Sequence, residues 1–346
     1  MRPLIVTLIA ASVLAAACGG QSATSPSPTT AATTAPTVAV TPKPSPISVK
    51  VSYSNIIGDE LPLWATKEGG FFDQNFIDTG DLQNIASAQG VPAVIANQIQ
   101  FAQVGGSEVM SANAGGADLV VVAQLAGVYP FVLEVAASIK TVADLKGKKV
   151  GVSSVGSSSD IATRAALKKM GLDPDKDVTI VPVGSTSART AALLGGAIDA
   201  GVAQPPDSIA LEEKGFHVLY DLASQKLPSA NTSVVVTRKF MTENKAVVQR
   251  YVDALVLGIK KMKADRDFGI ATLKKYFKST DDKAMGATYD FYAKLVTATQ
   301  PFARPEMFAD AQTILGATNA AVKSYDVTKM LDTSLVQSAV DRGLDK

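Results

Sequence analysis

From Ile47 onward, short apolar runs rich in Val and Ile alternate with stretches in which apolar residues recur every three or four positions. That alternation is the signature of an α/β fold. Ile47, Val49, Val51 and Tyr53 alternate as a first strand. Pro62 suits the first turn of the helix that follows, and Gly69-Gly70 suits its end. The pattern predicts further strands at Gln100 to Val104, Asp118 to Ala123, Phe131 to Val135, Lys149 to Ser153, Val178 to Val183, Ala200 to Gln204, His217 to Tyr220 and Ser233 to Thr237. Helices fall between most of them. After Met241 the texture is almost entirely helical, with Val247, Val248, Tyr251, Val252, Leu255 and Ile259 on one face.

The 300 residues from Ile47 to the last exceed what one core usually supports, so two domains are expected. The order of elements predicts a discontinuous domain of residues 47–136 plus 229–346 and an inserted domain of residues 137–228, joined by two crossing strands. No internal repeat or heptad interrupts this pattern.

The segment before Ile47 has a different character. Arg2 precedes an uncharged, weakly apolar run from Leu4 to Ala17 that stops at Cys18. A spanning helix needs about 20 apolar residues, whereas this length and basic start match a secretory signal of residues 1–17. Leu14-Ala15-Ala16-Ala17-Cys18 resembles a lipobox, the site where bacterial lipoproteins are cut before a cysteine that then receives a diacylglyceryl group. Cys18 is the only cysteine of the chain. Residues 18–46 then read as a lipidated cysteine followed by a linker of Ser, Thr, Pro and Ala, which lacks the apolar surface to offset ordering entropy. As a flexible coil, such a tether spans roughly 30 Å.

Loss of Arg2 with the signal lowers the 33 basic residues to 32, against 32 acidic ones. A neutral mature chain with scattered Lys and Arg implies no nucleic-acid partner. Lys260-Lys261 and Lys274-Lys275 read as solvated helix faces.

Several segments together resemble the substrate-binding proteins of nitrate, taurine and aliphatic-sulfonate importers, a group that includes binders of thiamine-pyrimidine precursors. Leu61-Pro62-Leu63-Trp64-Ala65 with Lys67-Glu68-Gly69-Gly70-Phe71-Phe72 is similar to that family's first helix. Gly105-Gly106-Ser107 and Gly116 to Ala123 follow in the family's order. So do Asp144-Leu145-Lys146-Gly147-Lys148-Lys149-Val150-Gly151-Val152, the turn Gly156-Ser157-Ser158-Ser159 and the run Ala166 to Leu172. Gly195 to Ala200 and Pro205-Pro206 complete the series, which runs from about Val49 to Phe277. The departure is Phe76 to Gln83, where the family's second strand is expected to be distorted or displaced. The resemblance implies an α/β, two-domain periplasmic-binding-protein fold (type II), each domain a mixed sheet flanked by helices, with the ligand cleft between them. It also implies no cofactor, a monomer held to the outer face of the membrane by its lipid, and an ABC permease and ATPase as partners.

In open α/β sheets ligands bind beyond the carboxyl ends of the strands. The candidate ligand-binding residues are therefore Ser54 and Asn55, Gly106 and Ser107, Ser154, Gly156, Ser157 and Ser158, Thr186 and Ser187, and Gln204, with Asn231 and Thr232 at the return crossing. Any one of these Ser or Thr residues also reads as a plain helix N-cap. Trp64 and Tyr129 are aromatic candidates, and Trp64 equally suits core packing. His217, the only histidine, begins an apolar strand and reads as structural, since no cysteine or second histidine offers to share a metal.

A nucleophilic triad would have to use His217 or Cys18, and neither a G-x-S-x-G elbow nor a Walker A pattern is present. The expected role is capture of a small solute outside the cytoplasm for import, not catalysis. An enzyme of the thiamine-pyrimidine-synthase type on the same fold and a solute sensor remain the alternatives. Helix N-termini beside Ser157 and Thr186 suit a sulfonate, nitrate or carboxylate, whereas Glu108, Glu134 and Asp160 would suit an amine or aminopyrimidine. Within the anionic reading, the acid group is expected at the start of the helix near Ser158, unless Asp160 already occupies that field.

Cys18→Ser should release soluble protein or leave an unprocessed precursor. Detergent partitioning unchanged from the wild type would show that Cys18 is not the anchor.

Overall fold

The computed structural model describes residues 45–346. The expected signal segment, Cys18 and all but the last two residues of the linker lie outside them. The alternation at the start is split in two: β1 (Ile47–Ser48) pairs in parallel with β3 (Ile77–Asp78), and β2 (Val51–Tyr53) enters a larger sheet. Between them run α1 (Leu61–Glu68) and α2 (Phe71–Gln74). Pro62 sits in the first turn of α1, and Gly70 at φ 68° makes the left-handed step that ends it, a conformation glycine adopts without strain. The atypical segment after Phe76 yields only β3 and the equally short β4 (Gln83–Asn84), so the family's second strand is reduced to an edge.

The chain continues through α3 (Ser87–Ile95), β5 (Phe101–Val104), α4 (Gly106–Ala114) and the long β6 (Leu119–Val128). It then crosses into β7 (Val132–Val135), β8 (Lys149–Val152), α5 (Ser158–Lys169), β9 (Thr179–Pro182), α6 (Thr186–Leu194), β10 (Ala200–Ala203), α7 (Asp207–Glu212) and β11 (His217–Asp221). It returns by β12 (Pro228–Thr237), and α8 (Arg238–Glu243) and α9 (Lys245–Ala264) open the helical tail. The tail ends with α10 (Arg266–Phe277), α11 (Asp282–Phe291), α12 (Ala309–Gly316), α13 (Ala320–Lys323) and α14 (Ser334–Asp341).

Two five-stranded mixed sheets result. The first has the order β4-β2-β5-β12-β6, with β4, β2 and β5 parallel and β12 antiparallel to both its neighbours. The second has the order β11-β7-β10-β8-β9, with β10, β8 and β9 parallel and β7 antiparallel. Val132–Val135, expected within the 47–136 block, thus belongs to the second sheet. Its backbone pairs antiparallel with β10 and β11, and the crossing falls earlier, at Tyr129 to Phe131. The returning strand, expected to begin at Ser233, already pairs with β6 at Pro228↔Val128, so outgoing and returning chains lie side by side.

One face of the first sheet is covered by α9, whose Val248, Tyr251, Val252, Leu255 and Ile259 are buried at helical spacing, as the sequence pattern requires. The Tyr251 ring stacks on Phe101 with centroids 3.8 Å apart. A second apolar cluster runs from the first sheet into the other through Tyr129, Phe131, Ala230, Phe308 and Ile161, and α12 packs against α5. Among the described residues, no helix is long and apolar enough to cross a membrane.

Trp64 is fully buried, stacked on Tyr276 at 4.5 Å and edge-on to Tyr53 and Phe277. Its place is the core rather than the cleft. Trp64→Ala should therefore cost about 3–5 kcal/mol in chemical denaturation. A loss below about 1 kcal/mol would show that the ring is not part of the packed core.

Candidate functional site

The carboxyl ends of β2, β4 and β5 in one sheet and of β8, β9 and β10 in the other meet at a cavity of about 250 Å³. The first sheet contributes Ser54, Asn55 and Ile57 after β2, Ala86 to Gln89 at the start of α3, Gly105 and Glu108 around the start of α4, and Asn231 and Thr232 from β12. The second contributes Ser153, Ser154 and Ser157 to Ser159 after β8, Gly184 to Thr186 and Arg189 after β9, Gln204 after β10, and Phe131 at the crossing.

Nine of the expected residues line this cavity together: Ser54, Asn55, Ser154, Ser157, Ser158, Thr186, Gln204, Asn231 and Thr232. Six do not. Trp64 is in the core. Gly106 packs so closely on β12 that an added Cβ would lie 2.5 Å from the Cβ of Ala230, and its neighbour Gly105 reaches the cavity instead. Ser107 donates to Glu108 Oε2 at 2.9 Å, and Tyr129 donates to Asp310 at 3.0 Å, both beside a small separate void. Gly156 makes the turn at φ 82° with its N–H directed to Asp160. Ser187 pairs with the N-cap Ser185.

Four helices begin at this cavity, and the first N–H groups of a helix have no intrahelical acceptor. On α5 the N-cap is Ser157, whose hydroxyl donates to the Ser154 carbonyl and accepts from Asp160 N–H. Asp160 returns its own carboxylate to Gly156 N–H at 2.8 Å and pairs with Arg164, so part of the field expected for a ligand is already occupied. The N–H groups of Ser158 and Ser159 find no acceptor among the described residues. On α6, Ser185 caps Ala188, and Thr186 and Ser187 keep free N–H groups in the same way.

Pattern reading missed the principal charge. Arg189 is buried, with Nε donating to the Val202 carbonyl at 2.6 Å and Nη1 to Ser153 Oγ at 2.9 Å. Nη2 has no partner among the described residues. Burial lowers the guanidinium to about 10, partly offset by Asp207, so it stays charged at neutral pH. The signal was present: Arg189 is the single charge in a helix otherwise made of Thr, Ser, Ala and Leu. Among the described residues Glu108 is the only acidic one lining the cavity, and burial of its carboxyl raises its pKa.

Two further carboxylates lie just behind the lining. Asp59 Oδ2 accepts from Asn231 Nδ2 and from Thr232 Oγ1 at 3.0 Å, while Glu60 Oε1 accepts from Ser54 N and Oγ at 3.3 Å. Neither has a basic partner among the described residues. Burial raises Asp59 to about 7 against the pull of its hydrogen bonds from Thr232 and Asn231, and raises Glu60 well above its ordinary value, with Asp59 adding to the shift. The pair looks in sequence like ordinary acids at a helix start, which is why it passed unnoticed. Glu134 and His217 lie in the second sheet away from the cavity; Glu134 is buried and shifted to about 7 by burial and by Glu212. No cluster of three metal-ligating side chains occurs among the described residues.

The NMT1/THI5-like family model matches residues 58–267. Among curated proteins no sequence matches the chain. Solved structures are similar in fold. The alkanesulfonate-binding protein SsuA from Xanthomonas axonopodis pv. citri, bound to MOPS, is 20% identical, with a TM-score of 0.69 over 84% of this chain and 100% of that one. The periplasmic aliphatic sulphonate binding protein SsuA from Escherichia coli is 24% identical, with a TM-score of 0.68 over 84% and 93%. The desulfurization enzyme DSZB is 18% identical, with a TM-score of 0.60 over 85% and 99%. These likenesses establish the periplasmic-binding-protein fold.

An acid whose pKa is raised on folding holds a proton that the unfolded chain has lost, so stability falls as pH rises from the unfolded value near 4 to the folded value near 7. The thermal midpoint should therefore decline across that window, and Asp59→Asn, which fixes the neutral form, should make the decline shallower. Equal slopes for the two proteins would mean that Asp59 does not titrate there.

Proposed function

The chain belongs to the NMT1/THI5-like family, and from that premise we propose that it is an exported solute-binding lipoprotein. It captures a small anion of the sulfonate, taurine or nitrate kind and delivers it to an ABC permease and ATPase. The observation that carries this reading is Arg189, a buried guanidinium with one nitrogen free among the described residues, set beside the unpaired helix N–H groups of three lining residues on the same wall, Ser158, Ser159 and Thr186. Such donors satisfy an oxyanion in a low-dielectric site without a metal. With Glu108 hydrogen-bonded by Ser107 and held towards its neutral form, an aminopyrimidine or amine finds less support.

Transport is preferred over catalysis because the cavity gathers hydroxyl, amide and guanidinium groups around an exported chain, and the only histidine is elsewhere. Two sheets joined by adjacent crossings form a natural hinge, and closure of the cleft would seal the solute from water. The anchor at Cys18 would keep the loaded protein near its permease.

Calorimetry with small sulfonates tests the proposal. Arg189→Lys should weaken binding about 10- to 150-fold, the 1.5–3 kcal/mol worth of a hydrogen bond to a charged group. Undiminished affinity in the folded variant would place the anion elsewhere.

A further inference from the structure

The two carboxylates behind the cavity leave a pattern on the wall in front of them. Ser54 spends its hydroxyl proton on Glu60, Thr232 spends its own on Asp59, and Asn231 turns its Nδ2 to Asp59. What these three lining residues retain are mainly acceptors: two hydroxyl oxygens and the Asn231 Oδ1, which is buried and has no partner among the described residues, against one remaining donor, the second hydrogen of Asn231 Nδ2. A hydroxyl has a single proton to give, and a carboxylate oxygen only accepts. The arrangement survives protonation, because Asp59 Oδ2 and Glu60 Oε1 take all the bonds just described, leaving Oδ1 and Oε2 unpartnered to carry a proton. The facing wall, from the second sheet, is richer in donors: Arg189 and the N–H groups at the starts of α5 and α6 only donate, beside one buried acceptor without a partner among the described residues, Gln204 Oε1.

We propose that Asp59 and Glu60, which do not touch the cavity, are positioning residues that make the Ser54, Asn231 and Thr232 part of its first-sheet wall a mainly accepting patch, so that the site selects an anion bearing an O–H or N–H donor away from its acid group. The inference rests on the anionic reading above. An alkyl analogue of the same shape would leave the acceptors of this wall buried and unpaired, which is where hydrogen-bonding sites gain most of their discrimination.

The test is the ratio of affinities for 2-hydroxyethanesulfonate and propane-1-sulfonate, measured by calorimetry on the mature chain. The two differ by a hydroxyl in place of a methyl. Wild type should prefer the hydroxylated probe at least about tenfold. Asp59→Leu removes the acceptor, frees the Asn231 amide and the Thr232 hydroxyl to turn, and should bring the ratio towards one. Asp59→Asn keeps a carbonyl oxygen at that place and should restore the preference. Glu60→Met makes the same test through Ser54 and stands in if Asp59→Leu does not fold. Equal affinities in the wild type, or a ratio retained in both apolar variants, overturns the inference while leaving the anionic reading intact. Binding of neither sulfonate overturns that reading and the inference with it.

Discussion

The antiparallel pairing of β6 with β12 is the constraint on which the rest of the molecule hangs. These ten-residue strands are the longest of the described fold; they occupy one side of the first sheet and continue to the point where the chain leaves for the second sheet and comes back. Because Val128 and Pro228 are partners, the two connections between the sheets are neighbours. The register shifts on either side of Thr232 bend β12 where it passes the cavity. That bend brings Asn231 and Thr232 to the lining while the residues after them stay in the ladder.

The cavity inherits its chemistry from this arrangement. Parallel strands that stop together deliver several helix starts to one place, and the orphan N–H groups of α5 and α6 then form a wall that Asp160 neutralises only in part. Arg189 strengthens the wall from beneath, held in one geometry by the Val202 carbonyl and by Ser153. On the other side, Asp59 and Glu60 are buried without cations, an arrangement that costs stability unless protons or hydrogen bonds compensate. Hydrogen bonds from Asn231, Thr232 and Ser54 supply part of that compensation. Gly58 belongs to the same construction, since any side chain there would collide with the Tyr292 ring that also faces Asp59. The fold thus carries a local cost at the site that its two large apolar clusters offset elsewhere.

How much of this is visible in one dimension depends on the range of the interaction. The strands at Gln100, Lys149 and Ala200 announce themselves because burial on both faces leaves runs of small and apolar residues. The α9 stripe does so because its period is set by its own helix. Pro62 and Gly70 mark α1 for equally local reasons. By contrast, Val132–Val135 is read into the wrong sheet, since a strand just before a crossing has the same composition whichever sheet it joins. Trp64 illustrates the same limit: a tryptophan on an amphipathic helix suits a core and a pocket equally until Tyr276, more than 200 residues later, stacks on it.

The sequence alone therefore determined the class of fold, the alternation of elements, and the gathering of small polar residues at strand ends, all consequences of periodicity and of turn chemistry within a few residues. Tertiary structure decided the polarity of the cavity. Asp59 meets Asn231 across 172 positions, Ser158 meets the Asn231 carbonyl across 73, and Arg189 meets Ser153 across 36. Whether a serine or an asparagine offers a donor or an acceptor is fixed by the partner behind it, and that partner is brought into place only by the sheet, not by neighbours in the chain.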